Sequence, residues 1–312
     1  MAQARPSPRM TPLAQTLLDA IGQSLRGKED AIELALVALF AGGHILIEDQ
    51  PGVGKTLLAK SLARALDLPF QRVQCTADLL PSDIVGAQVF QPRTGELTFR
   101  PGPVFTSVLL ADELNRTPPR TQSALLECMA ERRVTIDRQT HTLPEPFFVV
   151  ATQNPLTAAG TYPLPENQLD RFLICLHLGH LDPEHEVEVV AREDGHRLAE
   201  AQRPVASRED LQRATAAVDQ VRCAPELVAF MVELANRTRT SSDVLQGVST
   251  RGAQALHRAC RARAYVHQRA FVVPDDVRAL LLPTWSHRLG LRSGGNADAV
   301  LHEILARTPM PE

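Results

Sequence analysis

The stretch His44-Ile-Leu-Ile-Glu-Asp-Gln-Pro-Gly-Val-Gly-Lys-Thr56 decides the fold. Its first five residues read as a short buried strand, and the glycines that follow form a loop. Leu58, Leu62 and Leu66 then recur every four residues, which gives a helix one apolar face to lay on a sheet. Strand, glycine loop and helix in this order place consecutive backbone N–H groups and a helix N-terminus around a polyphosphate. Asp49, Gln50, Pro51, Gly52, Val53, Gly54, Lys55, Thr56 and Leu57 are the candidate cradle. Lys55 would reach the β and γ phosphates, and the Thr56 hydroxyl would ligate the accompanying magnesium. The strict GxxxxGK[ST] pattern has glycine where Asp49 stands, so the match departs at one position.

Outward from this loop, Phe70 to Gln74, Val108 to Ala111, Phe147 to Ala151 and Phe172 to Leu176 read as further strands separated by helical segments. The last three are continuous apolar runs, as in a parallel sheet covered on both faces. The fold class expected is α/β, a parallel sheet with flanking helices. Two hairpin-like stretches, around Arg93 to Glu96 and Asp137 to Thr142, exceed what a minimal α/β unit requires and read as insertions near 76–103 and 132–147. From about Pro183 the strand signal stops and helical patterns take over. The organisation expected is a loose tail over 1–15, an α/β core over 16–184 and a smaller all-helical domain over 185–312.

The run Val108-Leu-Leu-Ala-Asp-Glu113 ends a buried strand in two carboxylates, which apolar strands rarely do without a charge to meet. Asp112 can hold magnesium, and Glu113 can polarise the water that attacks a γ phosphate. An adjacent acidic pair fits hydrolysis better than transfer to a substrate hydroxyl. Asn154 follows the Phe147 strand at the same sheet edge, where its amide could hold that water. Arg171, at a helix-to-strand junction, and Arg251, opening a helix in the second domain, could neutralise charge on a transferring phosphoryl group.

At 312 residues the chain suggests about two domains, and 44% apolar with 22% charged residues excludes disorder. A formal charge of −3 gives no overall attraction to nucleic acid or anionic lipid. The longest apolar region, Ala31 to Ile47, is broken by Glu33 and His44, so no membrane span is expected. Five widely spaced cysteines without a CxxC pair fit reduced thiols in a cytoplasm. His177, His180 and His185 lack a clustered carboxylate in the sequence and read as structural. Residues 237–269 carry seven arginines against one acid, Asp243, a local basic stripe that raises nucleic-acid binding as a rival function.

Together these residues resemble an AAA+ ATPase, a P-loop NTPase, and specifically the MoxR family. The resemblance spans nearly the whole chain after the tail. It rests on Arg26-Gly-Lys28, Glu48-Asp-Gln-Pro-Gly-Val-Gly-Lys-Thr56, Asp78-Leu-Leu-Pro-Ser-Asp-Ile84, Phe99-Arg-Pro-Gly-Pro103, Ala111-Asp-Glu-Leu-Asn-Arg116, Pro118-Pro-Arg-Thr-Gln-Ser-Ala-Leu-Leu126, Ala151-Thr-Gln-Asn-Pro155, Gly160-Thr-Tyr-Pro-Leu-Pro165 and Leu169-Asp-Arg-Phe172. MoxR-like proteins share the Asp49 departure. The resemblance implies Lys55 and Thr56 as Walker A, Asp112 and Glu113 as Walker B, Asn154 as sensor 1, Arg171 as arginine finger and Arg251 as sensor 2. It makes the hairpins the helix-2 and pre-sensor-1 inserts, which face the ring pore in relatives, and the second domain a lid. It further implies ATP and Mg2+ as cofactors, a hexameric ring, protein targets and partners carrying von Willebrand A domains. The alternatives are a nucleic-acid-stimulated motor and a nucleotide-gated scaffold that barely hydrolyses ATP.

Overall fold

The computed structural model describes residues 10–155, 160–192, 195–292 and 295–311. In chain order the first unit contributes β1 (Ile45–Glu48), β2 (Phe70–Gln74), β3 (Gly86–Gln91), β4 (Glu96–Pro101), β5 (Val108–Asp112), β6 (Arg133–Ile136), β7 (Gln139–Thr142), β8 (Phe148–Gln153) and β9 (Ile174–Leu176). Five of them form one sheet in the order β2-β5-β8-β1-β9, and every pairing within it is parallel. The other four make two antiparallel hairpins, β3 with β4 and β6 with β7.

The continuous apolar runs follow from burial on both faces. Ile45, Ile47, Val108, Leu110, Phe148, Val150 and Ile174 join the helices Glu29–Phe40 and Lys55–Ala65 in one cluster. The alternate positions Leu46, Leu109, Ala111, Val149 and Cys175 pack with Leu125, Leu126 and Met129 of the helix Pro119–Glu131 in another. Apolar residues on both phases of the strand repeat leave no solvent face.

Two expectations need correction. The helix Pro12–Gly22 begins inside the stretch expected as tail. Thr11 caps it, Pro12 opens it, and Leu17 and Ile21 are fully buried. Proline at the first turn is a helix start rather than a breaker; residues 1–9 lie outside the described residues. The second unit is not wholly helical either. Among helices that include Arg208–Gln220, Pro225–Thr240, Thr250–Val266, Pro274–Trp285 and Ala297–Arg307 it carries an antiparallel ribbon, Val244–Gln246 with Gly290–Leu291. These strands are too short for a periodic signal.

Asp276, fully buried, locks the helices of this unit. Its carboxylate accepts from Arg263 at 2.7 Å and from both terminal nitrogens of Arg269 at 2.6 and 2.7 Å, and also from the Val273 N–H. Asp276→Ala leaves two guanidiniums and an N–H without their acceptor and should cost about 3 kcal/mol. A chemical-denaturation midpoint shifted by less than a third of that would show the cluster to be incidental.

Candidate functional site

The tips of the parallel strands converge on a cleft of about 610 Å3, a size suited to a nucleotide. Pro51 through Leu57 form one wall, and Gly52 and Gly54 hold φ of 89° and 103°. A side chain at Gly54 would also meet Leu25 Cδ1 at 2.7 Å, so the position admits only glycine. The helix Lys55–Ala65 starts there and points its N-terminus into the cleft. Lys55 Nζ donates to the Asp49 carbonyl at 2.6 Å. Burial lowers the Lys55 pKa, opposed by the charges of Asp112, Asp49 and Glu113. Gly195 and Leu198 of the second unit also line it, Gly195 next to Leu57.

Asp112 ends β5 and Glu113 turns off it with φ of 59°, an uncommon conformation for a non-glycine residue. Thr152 of the neighbouring β8 ties the two together. Its hydroxyl donates to Asp112 Oδ1 at 2.7 Å and accepts the Glu113 N–H at 2.8 Å. Two arginines complete the pair: Arg72 from β2 meets Asp112 Oδ2 at 2.6 Å, and Arg116 meets Glu113 Oε2 at 2.8 Å. Thr152, Arg72 and Arg116 escaped the sequence reading. The signal available for Thr152 was its place one residue beyond the buried run of a strand adjacent to β5.

Asp49 and Gln50 do not line the cleft. The Asp49 carboxylate accepts the N–H groups of Leu178 and Gly179 just after β9, which explains an acid where the loop pattern has glycine. Asn154, buried, follows β8 and does not line the cleft; its carbonyl accepts from Asn115 at 3.5 Å. Arg171 and Arg251 lie elsewhere. They line a second cavity of about 350 Å3 beside Gly43, His44 and Leu173, at the N-terminal edge of the sheet opposite the cleft. Arg132 and Arg258 share it. Asp170 fixes this corner, accepting from Arg288 at 2.7 Å and from Ser249 at 2.9 Å, while Arg171 donates to the Leu126 carbonyl at 2.7 Å.

One sequence inference about the histidines is overturned. His177 does have a carboxylate beside it: Glu48, Cys175 and His177 bring ligand atoms within 4.8 Å of one another, because β1 and β9 are neighbours in the sheet. His185 is paired with Asp182 at 2.5 Å.

Lys55→Ala should lose the point charge in the cleft, and nucleotide affinity should fall at least about tenfold while the fold persists. Wild-type affinity for ATP, measured with a fluorescent analogue, would sink the assignment of the loop.

The model of the ATPase family associated with various cellular activities (AAA) matches residues 44–174, and that of the AAA lid domain matches residues 236–304. The chain is 42% identical to the uncharacterized protein YeaC of Bacillus subtilis, over 96% of this chain and 95% of that one. It is 38% identical to the chaperone MoxR1 of Mycobacterium tuberculosis, over 89% of this chain and 76% of that one. A solved structure from Cytophaga hutchinsonii, assigned as an ATPase, superposes with a TM-score of 0.88 at 36% identity and covers 96% of both chains. With its phosphate loop, paired strand-tip carboxylates and helical second unit, the chain belongs to the MoxR family of AAA+ ATPases.

Proposed function

We propose that this chain hydrolyses ATP as a hexameric ring in the cytoplasm and uses the turnover to remodel or activate a partner protein, with a von Willebrand A domain protein as co-worker. The observation that carries the ring is the separation of its arginines from its cleft. Arg171 and Arg251 sit at one edge of the sheet and the phosphate loop at the other. A head-to-tail contact between copies would bring one subunit's arginines to the next subunit's cleft, and such contacts close into rings.

The chemistry follows from the side chains. Backbone N–H groups of the loop and Lys55 orient the phosphates, and Glu113 takes the proton of the attacking water, which Asn154 positions. Arg171, from the neighbour, neutralises charge on the transferring phosphoryl group, with Arg251 beside it. Thr56 and Asp112 line the same cleft and offer the oxygen donors that Mg2+ prefers. When bound, the ion would neutralise phosphate charge.

Hydrolysis, rather than nucleotide-gated scaffolding, is supported by Glu113, Asn154 and Arg171 occurring together. A protein target is supported by the β3–β4 hairpin, where Phe90 and Leu97, directly paired across the strands, are 58% and 65% exposed. The five cysteines are unbridged, as a reducing compartment requires. Among the described residues, no helix is long and apolar enough to cross a membrane.

The nucleic-acid motor has less support in the fold than in the sequence. Acids neutralise part of the basic stripe: Glu233, four residues away, meets Arg237, and from outside the stripe Asp219 meets Arg261 and Glu33 and Asp276 meet Arg263. Single- or double-stranded DNA should therefore leave the ATPase rate nearly unchanged at physiological salt. Strong stimulation that fades as salt rises would favour the motor, because phosphate contacts release counterions.

A further inference from the structure

Three side chains with no part in nucleotide chemistry meet at the tips of β1 and β9. Leu46 stands opposite Cys175 and Ile47 opposite Leu176. Strand alternation then puts Glu48 on the face of Leu46, and His177 on the face of Cys175. Carboxylate, thiol and imidazole converge, each with a ligand atom within 4.8 Å of the others. Bonds of about 2.0–2.3 Å to a tetrahedral zinc ion set ligand atoms roughly 3.5 Å apart. A closure of about 1 Å, within the reach of ordinary side-chain rotation, separates the cluster from that geometry.

Neighbouring groups hold two of the three side chains in place. His177 Nδ1 lies 2.8 Å from the Glu48 carbonyl oxygen, which can only accept, so Nδ1 carries a proton and Nε2 is the nitrogen left to ligate. A carbonyl that fixes the imidazole tautomer in this way is the usual companion of a metal-ligating histidine. Gln153 Nε2 holds Glu48 Oε1 at 2.5 Å. The Cys175 thiol also bonds to the Glu48 carboxylate, and burial together with that charge pushes its pKa well above the ordinary thiol value. Among the described residues no cation forms an ion pair with Glu48. Gln153 and Cys175 thus donate to a carboxylate whose charge no side chain offsets, which a divalent cation would do.

We propose that Glu48, Cys175 and His177 bind one divalent cation of the zinc class, with water in the fourth position. Binding releases the Cys175 proton to solvent and leaves the thiolate on the metal. One sulfur, one nitrogen and one oxygen donor disfavour Mg2+ and Ca2+, which take oxygens. His177 is exposed, Glu48 half-buried and Cys175 buried, so the ion enters from the His177 side. The site is separate from Thr56 and Asp112, since β8 stands between β1 and β5. It stands independently of the ring and of its target.

The test uses the full chain saturated with ADP and Mg2+, with Co2+ as spectroscopic probe and Zn2+ as competitor. The expected result is a near-ultraviolet thiolate-to-cobalt charge-transfer band that saturates at one equivalent and is abolished by Zn2+. Cys175→Ser should remove the band, and Cys223→Ser should keep it. His177→Ala alters an exposed side chain and should leave the fold intact while weakening Zn2+ binding at least about tenfold. No band in the wild type would overturn the proposal. So would a band that survives Cys175→Ser, or Zn2+ bound as tightly by His177→Ala as by the wild type.

Discussion

Glu113→Gln should bind ATP and hold it uncleaved, with turnover reduced about 10²- to 10⁴-fold. The substitution keeps the shape of the side chain and leaves the backbone alone, so the Glu113 N–H still donates to Thr152 and Asp112 keeps both its contacts. What disappears is the acceptor for the water proton, because an amide oxygen is far less basic than a carboxylate. The partner Arg116 remains and can still donate to the amide oxygen, so the local structure has no reason to rearrange. Binding of a fluorescent ATP analogue and steady-state phosphate release separate the two effects. Near-normal turnover would move the base elsewhere in the cleft.

Arg171→Ala should be nearly inactive as well, by about 10³-fold or more, yet correctly folded. Its distinguishing property is rescue by a different dead variant. If each site takes Glu113 from its own subunit and Arg171 from the next, an Arg171→Ala subunit beside a Glu113→Gln neighbour has an intact base and an intact finger. Mixing the two variants should restore activity once labelled subunits are shown to exchange. A finger acting within its own chain predicts no recovery, since every subunit then lacks one essential group. The placement of Arg171 at the sheet edge away from the cleft makes that outcome geometrically hard to reach. Strictly sequential firing around a ring could also silence mixtures. Doping the wild type with Glu113→Gln detects it, because a sequential ring loses activity faster than in proportion to the dose.

Strands and phosphate loop were legible because their signals are local. An apolar run covered on both faces, a glycine loop and a leucine repeat each lie within a dozen residues, and Asp112 and Glu113 announce themselves by ending a buried strand in charge. What was hidden depends on which strand lies beside which. The order β2-β5-β8-β1-β9 puts Thr152 beside Asp112, brings Arg72 across to it, and sets Cys175 and His177 against Glu48. No spacing in the chain encodes those meetings. The partial neutralisation of the basic stripe was hidden for the same reason, since Glu33 and Asp219 meet arginines tens of residues away in sequence. The helix from Pro12 was missed through composition: proline-rich character outweighed the capping threonine and two buried apolar residues a turn apart.

The acid at position 49 turns the base of the phosphate loop into a junction box. Its carbonyl accepts from Lys55, and its carboxylate accepts the N–H groups of Leu178 and Gly179. The carbonyl of Gly179 in turn accepts from Lys28, at 3.1 Å. Lys55, the loop's one cation, and the backbone just after β9 therefore share Asp49 as a common anchor. A glycine at this position would grip phosphate with nothing attached behind it. Here one residue faces both ways, its carbonyl toward the phosphate loop's lysine and its carboxylate toward the strand end behind it.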